Sequence, residues 1–386
     1  MSLLHNAKRR RHIALIGILV LPAAVCGLVA YGLTFMSYPA AIEAELAVGR
    51  LQFELAGDKR APILAPLQFR ELSASGFQNV RFHVARVSAA DPSRFDMETG
   101  SYEDSAWTPL DKTGEMNFVA GSPELHPAMS IEAWSDLSGP IGKLPSIYTE
   151  PGNVITLEVD SDNTLVVTIG QSELELDVRV EDSVQLFTRE CVLEPRWLGS
   201  FDLAPTAYRM SLADHRPALH LMGSPSGTSL SIVLAPQETE DLLSAGNLLA
   251  RDLKFLVPQA DRLASSVIGD GRLRYRDYPS FDDIEIGDSD LVLFEDTQSF
   301  WIKSLRMLRT STMPGLHVVL EGETRRFSVG AGEPFRTFRV SVLDALFRDP
   351  MVGSLSAMVL WVFSATLAGF KLYGEMTAKS DSQDKS

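Results

Sequence analysis

The sequence predicts a membrane-anchored, mainly β protein, in which two transmembrane helices flank a large antiparallel β-sandwich or β-meander. Three observations predict it. Residues 13–36 form a run of 24 residues with no charge, directly after Lys8, Arg9, Arg10 and Arg11. A second uncharged run, residues 351–370, lies near the other end. Between the runs, short segments of alternating apolar and polar residues recur, separated by Gly, Pro, Asp, Asn and Ser.

The first element is a basic, cytoplasmic N-terminus over residues 1–12, followed by transmembrane helix 1 over 13–36. A helix rises about 1.5 Å per residue, so this run crosses a hydrocarbon core of about 30 Å. The basic cluster precedes the run, and Glu43 and Glu45 come before the next basic residue, Arg50. The positive-inside rule therefore keeps the N-terminus in the cytoplasm and exports the chain beyond residue 36. The run is longer than the apolar core of about 7–15 residues in a cleaved signal peptide, so it reads as a retained anchor. Val25 before Cys26 does not fit a lipoprotein signal.

Residues 37–140 read as the first half of an extracytoplasmic β region. It opens with a helical extension over AAIEAELAVG, residues 40–49. Residues 50–55 and 80–87 alternate and read as strands. Residues 89–131, with Pro92, Pro109, Pro123 and Pro127, read as irregular. The stretch GPIGKLPSIYTEPGN, residues 139–153, is the candidate boundary with a second half, 141–350.

That second half opens with the clearest pattern in the chain. Residues 155–159, 165–169 and 174–180 alternate, with turn residues between them, and predict a three-stranded antiparallel meander. Leu174, Leu176 and Val178 share one face, opposite Glu173, Glu175 and Asp177. The leucines are expected in the core and the acids in solvent, so that Leu176→Asp unfolds the protein and Glu175→Lys is tolerated. Further strands are expected at 229–234, 272–275, 290–294, 316–321, 327–329 and 336–342, and one helix at 237–249. Residues 342–347 turn helical toward transmembrane helix 2, residues 351–373, which returns a cytoplasmic tail, 374–386. Small residues four apart, Ala23 with Gly27 and Ala365 with Gly369, let membrane helices approach closely.

Charge narrows the partners. The chain has 35 basic and 50 acidic residues. Residues 38–350 hold 28 of the basic and 47 of the acidic ones, a net of −19. A region this acidic repels phosphate backbones, so no nucleic acid is expected. The two cysteines, Cys26 in the first apolar run and Cys191 in the middle, do not make a disulfide scaffold.

No residue is assigned a catalytic, cofactor-binding or metal-binding role. Asp214, His215 and His220 are the densest histidine group, but the spacing is not that of a helix face and Pro217 intervenes. They read as surface-loop residues. Gly223-Ser224-Pro225-Ser226-Gly227 has proline where a nucleophile elbow needs serine, and reads as a hairpin turn. Asp160-Ser161-Asp162 starts like a calcium loop but lacks the glycine and the final acid, so it is a turn. The acidic stretch from Asp277 to Asp296 reads as a solvated face.

The expectation is a non-enzymatic, double-pass protein of a bacterial-type inner membrane, both termini cytoplasmic. Its acidic periplasmic β domain binds a protein partner or a second copy of itself, or scaffolds a membrane complex. The alternative is a lipid- or substrate-handling component of an envelope transport system, and the third reading is an ectoenzyme. No cofactor is expected.

Overall fold

The computed structural model describes residues 27–28, 31–64, 66–96, 101–102, 106–110, 114–120, 127–134, 142–161, 163–170, 173–179, 183–194, 206–212, 219–224, 227–235, 243, 247–259, 262–278, 281–295, 299–308, 314–331, 335–342, 344–345 and 364. The fold is mainly β. Contacts divide the chain into two compact units, Ala40–Thr337 on the one hand, and Met1–Pro39 with Phe338–Ser386 on the other.

Within Ala40–Thr337 the alternation of the sequence becomes alternation of burial. In the strand Ala40–Val48 each of Ala40, Ile42, Ala44, Leu46 and Val48 is buried, and the residues between them are half-exposed. This corrects the helical extension expected over 40–49. Alanine and glutamate favour helix, but the apolar residues also repeat with period two. The strand gains partners on both edges, Gly271–Tyr275 and Gly315–Thr324, and this pairing outweighs the weak local preference.

Gly49 separates this strand from Arg50–Leu55, which continues the alternation. Ala40–Val48 pairs with Gly315–Thr324, that strand with Phe300–Leu308, and that with Leu248–Lys254. Leu248–Lys254 then pairs with Arg50–Leu55, so the ladder returns to its own chain and closes a β-barrel.

Arg50–Leu55 also starts a second ladder. It pairs with Val154–Ser161, followed by Thr164–Ile169, Thr228–Leu234 and Leu67–Ser75. Leu67–Ser75 carries two strands along its other edge, Ala128–Trp134 and Gly142–Thr149. Through Gly142–Thr149 the pairing runs on to Glu173–Arg179, Leu219–Gly223 and Phe77–Ala90. Gly142 lies against the Phe69 ring, where an added Cβ would meet ring carbons. At the tight link between Leu67–Ser75 and Phe77–Ala90, Gly76 has φ +69°, and an added Cβ would lie 2.8 Å from the Gly227 carbonyl oxygen.

The meander expected over 155–180 is therefore only partly present. Val154–Ser161 and Thr164–Ile169 form the expected hairpin. Glu173–Arg179 leaves it and pairs with Gly142–Thr149 and Leu219–Gly223. Alternation fixes which face of a strand is buried, and does not name the strand beside it. The turn at Ser224 and Gly227 behaves likewise. Gly227 N–H donates to the Ser224 carbonyl at 3.0 Å, but the strands on either side join different neighbours.

Other expectations are settled in the same way. The strands expected at 50–55, 80–87, 229–234, 272–275, 290–294, 316–321, 327–329 and 336–342 are present, with slightly shifted ends. The region 89–131 is not irregular throughout: it contains Trp107–Leu110, Gly114–Ala120 and Ala128–Trp134. Pro109 is tolerated because, among the described residues, its strand pairs with Phe77–Ala90 alone and so lies at an edge. Of the helix expected at 237–249, Leu248 and Leu249 belong to a strand, and most of the rest lies outside the described residues. Strands from 37–140 pair with strands from 141–350 throughout, so these halves interleave in one unit.

In the other unit, residues 27–28 and 31–35 are helical, and the remainder of 13–36 lies outside the described residues. Of 351–373 only Ser364, which is helical, is described. Among the described residues no helix is long and apolar enough to cross a membrane. The chain after residue 35 meets the chain before residue 343. Ser37 and Tyr38 pair with Ser341 and Val340, Val342 N–H donates to the Met36 carbonyl at 2.9 Å, and Arg339 Nη1 donates to the Phe35 carbonyl at 2.8 Å. Ser341 Oγ and Asp344 Oδ2 then cap a helical turn that includes Val342, Asp344 and Ala345; the rest of the helical turn expected over 342–347 lies outside the described residues.

The core fixes a pH dependence. Burial pushes the Cys191 thiol up from 9.0 to about 12 and the Tyr208 phenol up from 10.0 to about 12. Burial raises Tyr275 as well. A raised folded-state value favours the neutral group, so this stabilisation is complete below the unfolded value and is lost as pH rises toward the folded one. Each group then removes about 1.4 kcal/mol per pH unit. The melting temperature is expected to hold between about pH 7 and 8 and to fall steeply above about pH 10. Cys191→Ala should remove the part that begins near pH 9.0. A melting temperature level to about pH 11 contradicts the burial of these groups.

Candidate functional site

The site is built on the strands Gly142–Thr149, Glu173–Arg179 and Leu219–Gly223. Register fixes its centre. Glu175 lies opposite Tyr148 on one side and His220 on the other, and His220 lies opposite Arg81. Leu174 and Leu176 point into the core and Glu173 and Glu175 share the outer face, but Asp177, expected in solvent with them, is buried, with the Arg179 guanidinium at 3.2 Å offsetting its charge. The same row runs from Pro62 through Tyr148, Glu175, His220 and Arg81 to Asn117, about 24 Å at the usual strand spacing.

Two residues reach this face from elsewhere. Arg60, just before the short strand Ala61–Pro62, pairs with Glu175 through Nη1. It also donates to Glu150 from Nε at 3.1 Å and from Nη2 at 2.9 Å, and lies 3.9 Å from Glu173. Burial works against the Arg60 charge, yet Glu175 and Glu150 hold its pKa above the ordinary value. His220 Nδ1 sits 3.4 Å from Glu173 Oε1 and 3.5 Å from Glu175 Oε1. The His83 ring meets the His220 ring edge-on, 5.7 Å between centroids.

The face is open. Side-chain exposure is 16% for Glu175, 21% for His220, 29% for Arg60 and 39% for Glu173, so every member of the cluster reaches water. Glu173, Glu175 and His220 are also the one group of three that can converge on a metal ion among the described residues. Chemically, the arrangement offers carboxylates, a guanidinium and an imidazole to a charged surface or to a cation.

Two hollows lie elsewhere. One, of about 370 Å³, crosses the outer faces of Thr228–Leu234, Leu67–Ser75, Ala128–Trp134 and Ser183–Arg189, between Ser231, Ser73, Ser130 and Phe187. Ser73 and Ser130 both donate to Glu71 Oε1, at 2.6 and 2.9 Å, and the hollow they line is largely apolar. The other, of about 720 Å³, is lined by Glu45, Asp270, Arg272, Glu285 and His317.

Sequence reasoning grouped His220 with Asp214 and His215, which lie outside the described residues. His220 is on a strand and not on a loop, and its partners are Glu173 and Glu175. Period-two spacing already placed the two glutamates on one face. Nothing in the sequence pointed to Arg60 or Glu150. Within the acidic stretch 277–296, Asp290 accepts from Gly287 N–H at 2.8 Å, Asp283 faces Arg272 and Glu295 faces Arg326, so these acids serve turns and ion pairs. Comparison of the chain with known protein families, with curated proteins and with solved structures finds no match in any of the three.

Proposed function

We propose that this is an envelope protein held in the inner membrane by two helices, with both termini cytoplasmic, whose acidic β unit works by binding a protein partner and not by catalysis. The anchoring is carried by the stem. Leu28, Tyr31, Phe35 and Met36 stand exposed on the segment that ends the first apolar run, and large exposed apolar side chains mark a surface meant for another phase or partner. The same segment is hydrogen-bonded to the chain that leads into the second run. The segment that ends the first run is thus tied to the chain that precedes the second.

Binding over catalysis is supported by the place of the Arg60–Glu173–Glu175–His220 cluster on an outer sheet face, where each of these half-buried groups still reaches water. Catalytic groups gain their strength where water is excluded and donors are preorganised. Groups spread along a flat outer sheet face instead match the charges of another surface. The lipid- or substrate-handling reading has one observation in its favour, the apolar hollow at Ser73, Ser130 and Ser231.

One experiment separates the readings. A photo-crosslinking residue replaces Met222, opposite Glu173 on the outer face, or Ser231 in the hollow, and whole cells are irradiated. The expected product is a discrete adduct from position 222 with a periplasmic protein or a second copy of this chain, weakened at least tenfold by Glu173→Lys. A lipid adduct from position 231, with none from 222, favours the alternative. An adduct with cytoplasmic proteins overturns the topology.

A further inference from the structure

The geometry points to the Glu173–Glu175–His220 face as a site for one divalent transition-metal cation of the Zn²⁺ class. Spacing is the first argument. His220 Nδ1 is nearly equidistant from Glu173 Oε1 and Glu175 Oε1, at 3.4 and 3.5 Å, and the three donor atoms fall within 4.8 Å of one another. A charge-assisted hydrogen bond would close to about 2.7–2.9 Å. One proton on Nδ1 serves only one of these oxygens, whereas a cation serves all three donors. Metal–ligand distances of about 2.0–2.2 Å place tetrahedral donors about 3.3–3.6 Å apart, which is the spacing already present between the imidazole and each carboxylate.

Charge is the second argument. Glu150, Glu173 and Glu175 all lie within 4.0 Å of the Arg60 guanidinium, so three carboxylates gather beside the imidazole. The neighbouring Arg81 pairs with Glu115. The scaffold is the third. Two glutamates two residues apart on one strand, with a histidine directly opposite, are held by the backbone ladder and need little ordering. Three protein ligands leave a fourth position open. An imidazole beside two carboxylates suits Zn²⁺, Co²⁺ or Mn²⁺, while Ca²⁺ and Mg²⁺ prefer an all-oxygen shell.

Arg60 is the built-in rival. Its Nη1 pairs with Glu175 Oε1, the oxygen that also faces His220. The metal takes that oxygen, and Arg60 keeps Glu150 through Nε and Nη2. Arg60 and the cation thus oppose each other at Glu175.

The test is titration of the full chain, purified in mild detergent and stripped of metal, with Co²⁺ alone, read by its visible ligand-field absorption. One equivalent is expected to bind and to be displaced by Zn²⁺. Glu173→Gln and His220→Asn should each weaken binding by at least the roughly 10–100-fold that loss of an outer-shell partner costs. Arg60→Gln should tighten it. His317→Asn, which removes an imidazole 3.0 Å from the single carboxylate of Glu45, should leave it unchanged. Melting curves of the metal-free variants check that each is folded, and Glu173→Gln, on the most exposed ligand, stands if His220→Asn does not fold. Wild-type affinity in His220→Asn, or equal losses in His220→Asn and His317→Asn, overturns the site. The purified chain needs no partner for this measurement, so the proposal fails or stands apart from the crosslinking result.

Discussion

Leu176→Asp is expected to abolish folding of the β unit. Leu176 lies between Ile147 and Leu219 across its strand, and all three are fully buried. A carboxylate there has no water and no partner within an apolar layer, and the cost is more than about 4 kcal/mol even if the group takes up a proton. Thr168→Asp is the control. Thr168 is exposed on the outer face of Thr164–Ile169, and its replacement should cost about 0.5 kcal/mol or less. Thermal unfolding of the full chain in detergent compares the two, and equal losses mean that the buried and outer faces are assigned wrongly. Glu175→Lys, which the sequence presents as neutral, is now expected to cost about 1–3 kcal/mol, because it breaks a part-buried charged pair and sets a lysine against Arg60.

Phe53→Ala is expected to lower stability by about 3–5 kcal/mol. Phe53 is fully buried on Arg50–Leu55, the strand that belongs both to the closed barrel and to the second ladder. Phe300, equally buried, lies in the barrel on Phe300–Leu308 and packs against Phe294 at 4.8 Å between ring centroids. Contacts place both in the single unit Ala40–Thr337. Phe53→Ala and Phe300→Ala should therefore each shift one common unfolding transition, followed by circular dichroism and by tryptophan fluorescence. A Phe300→Ala protein in which part of the signal still unfolds at the wild-type temperature shows that barrel and second ladder are separate cooperative units.

The strands were legible because a strand buried on one side must alternate, and residues 155–159 and 174–178 do so in full and 165–169 with one exception, Val166. The 40–49 segment misled because Ala and Glu are good helix formers and its apolar residues satisfy either period over so short a length. The region 89–131 misled because prolines that would break a central strand are harmless at an edge. In the site, the shared face of Glu173 and Glu175 was visible, and the identity of His220 as their partner was not.

The sequence by itself determined the class and the sidedness. Its alternation says that the middle of the chain is β, and which apolar residues of each strand meet the core, although Asp177 and Thr156, on the polar side of that pattern, are buried as well. Only the tertiary structure decided neighbours. It took Glu173–Arg179 away from the hairpin before it, closed Ala40–Val48 and Arg50–Leu55 into a barrel, and carried Arg60 across 90 residues to Glu150. The reason is physical. The period of a strand is a local property of its side chains, whereas the partner on its edge is chosen by backbone hydrogen bonds that any residue but proline can make.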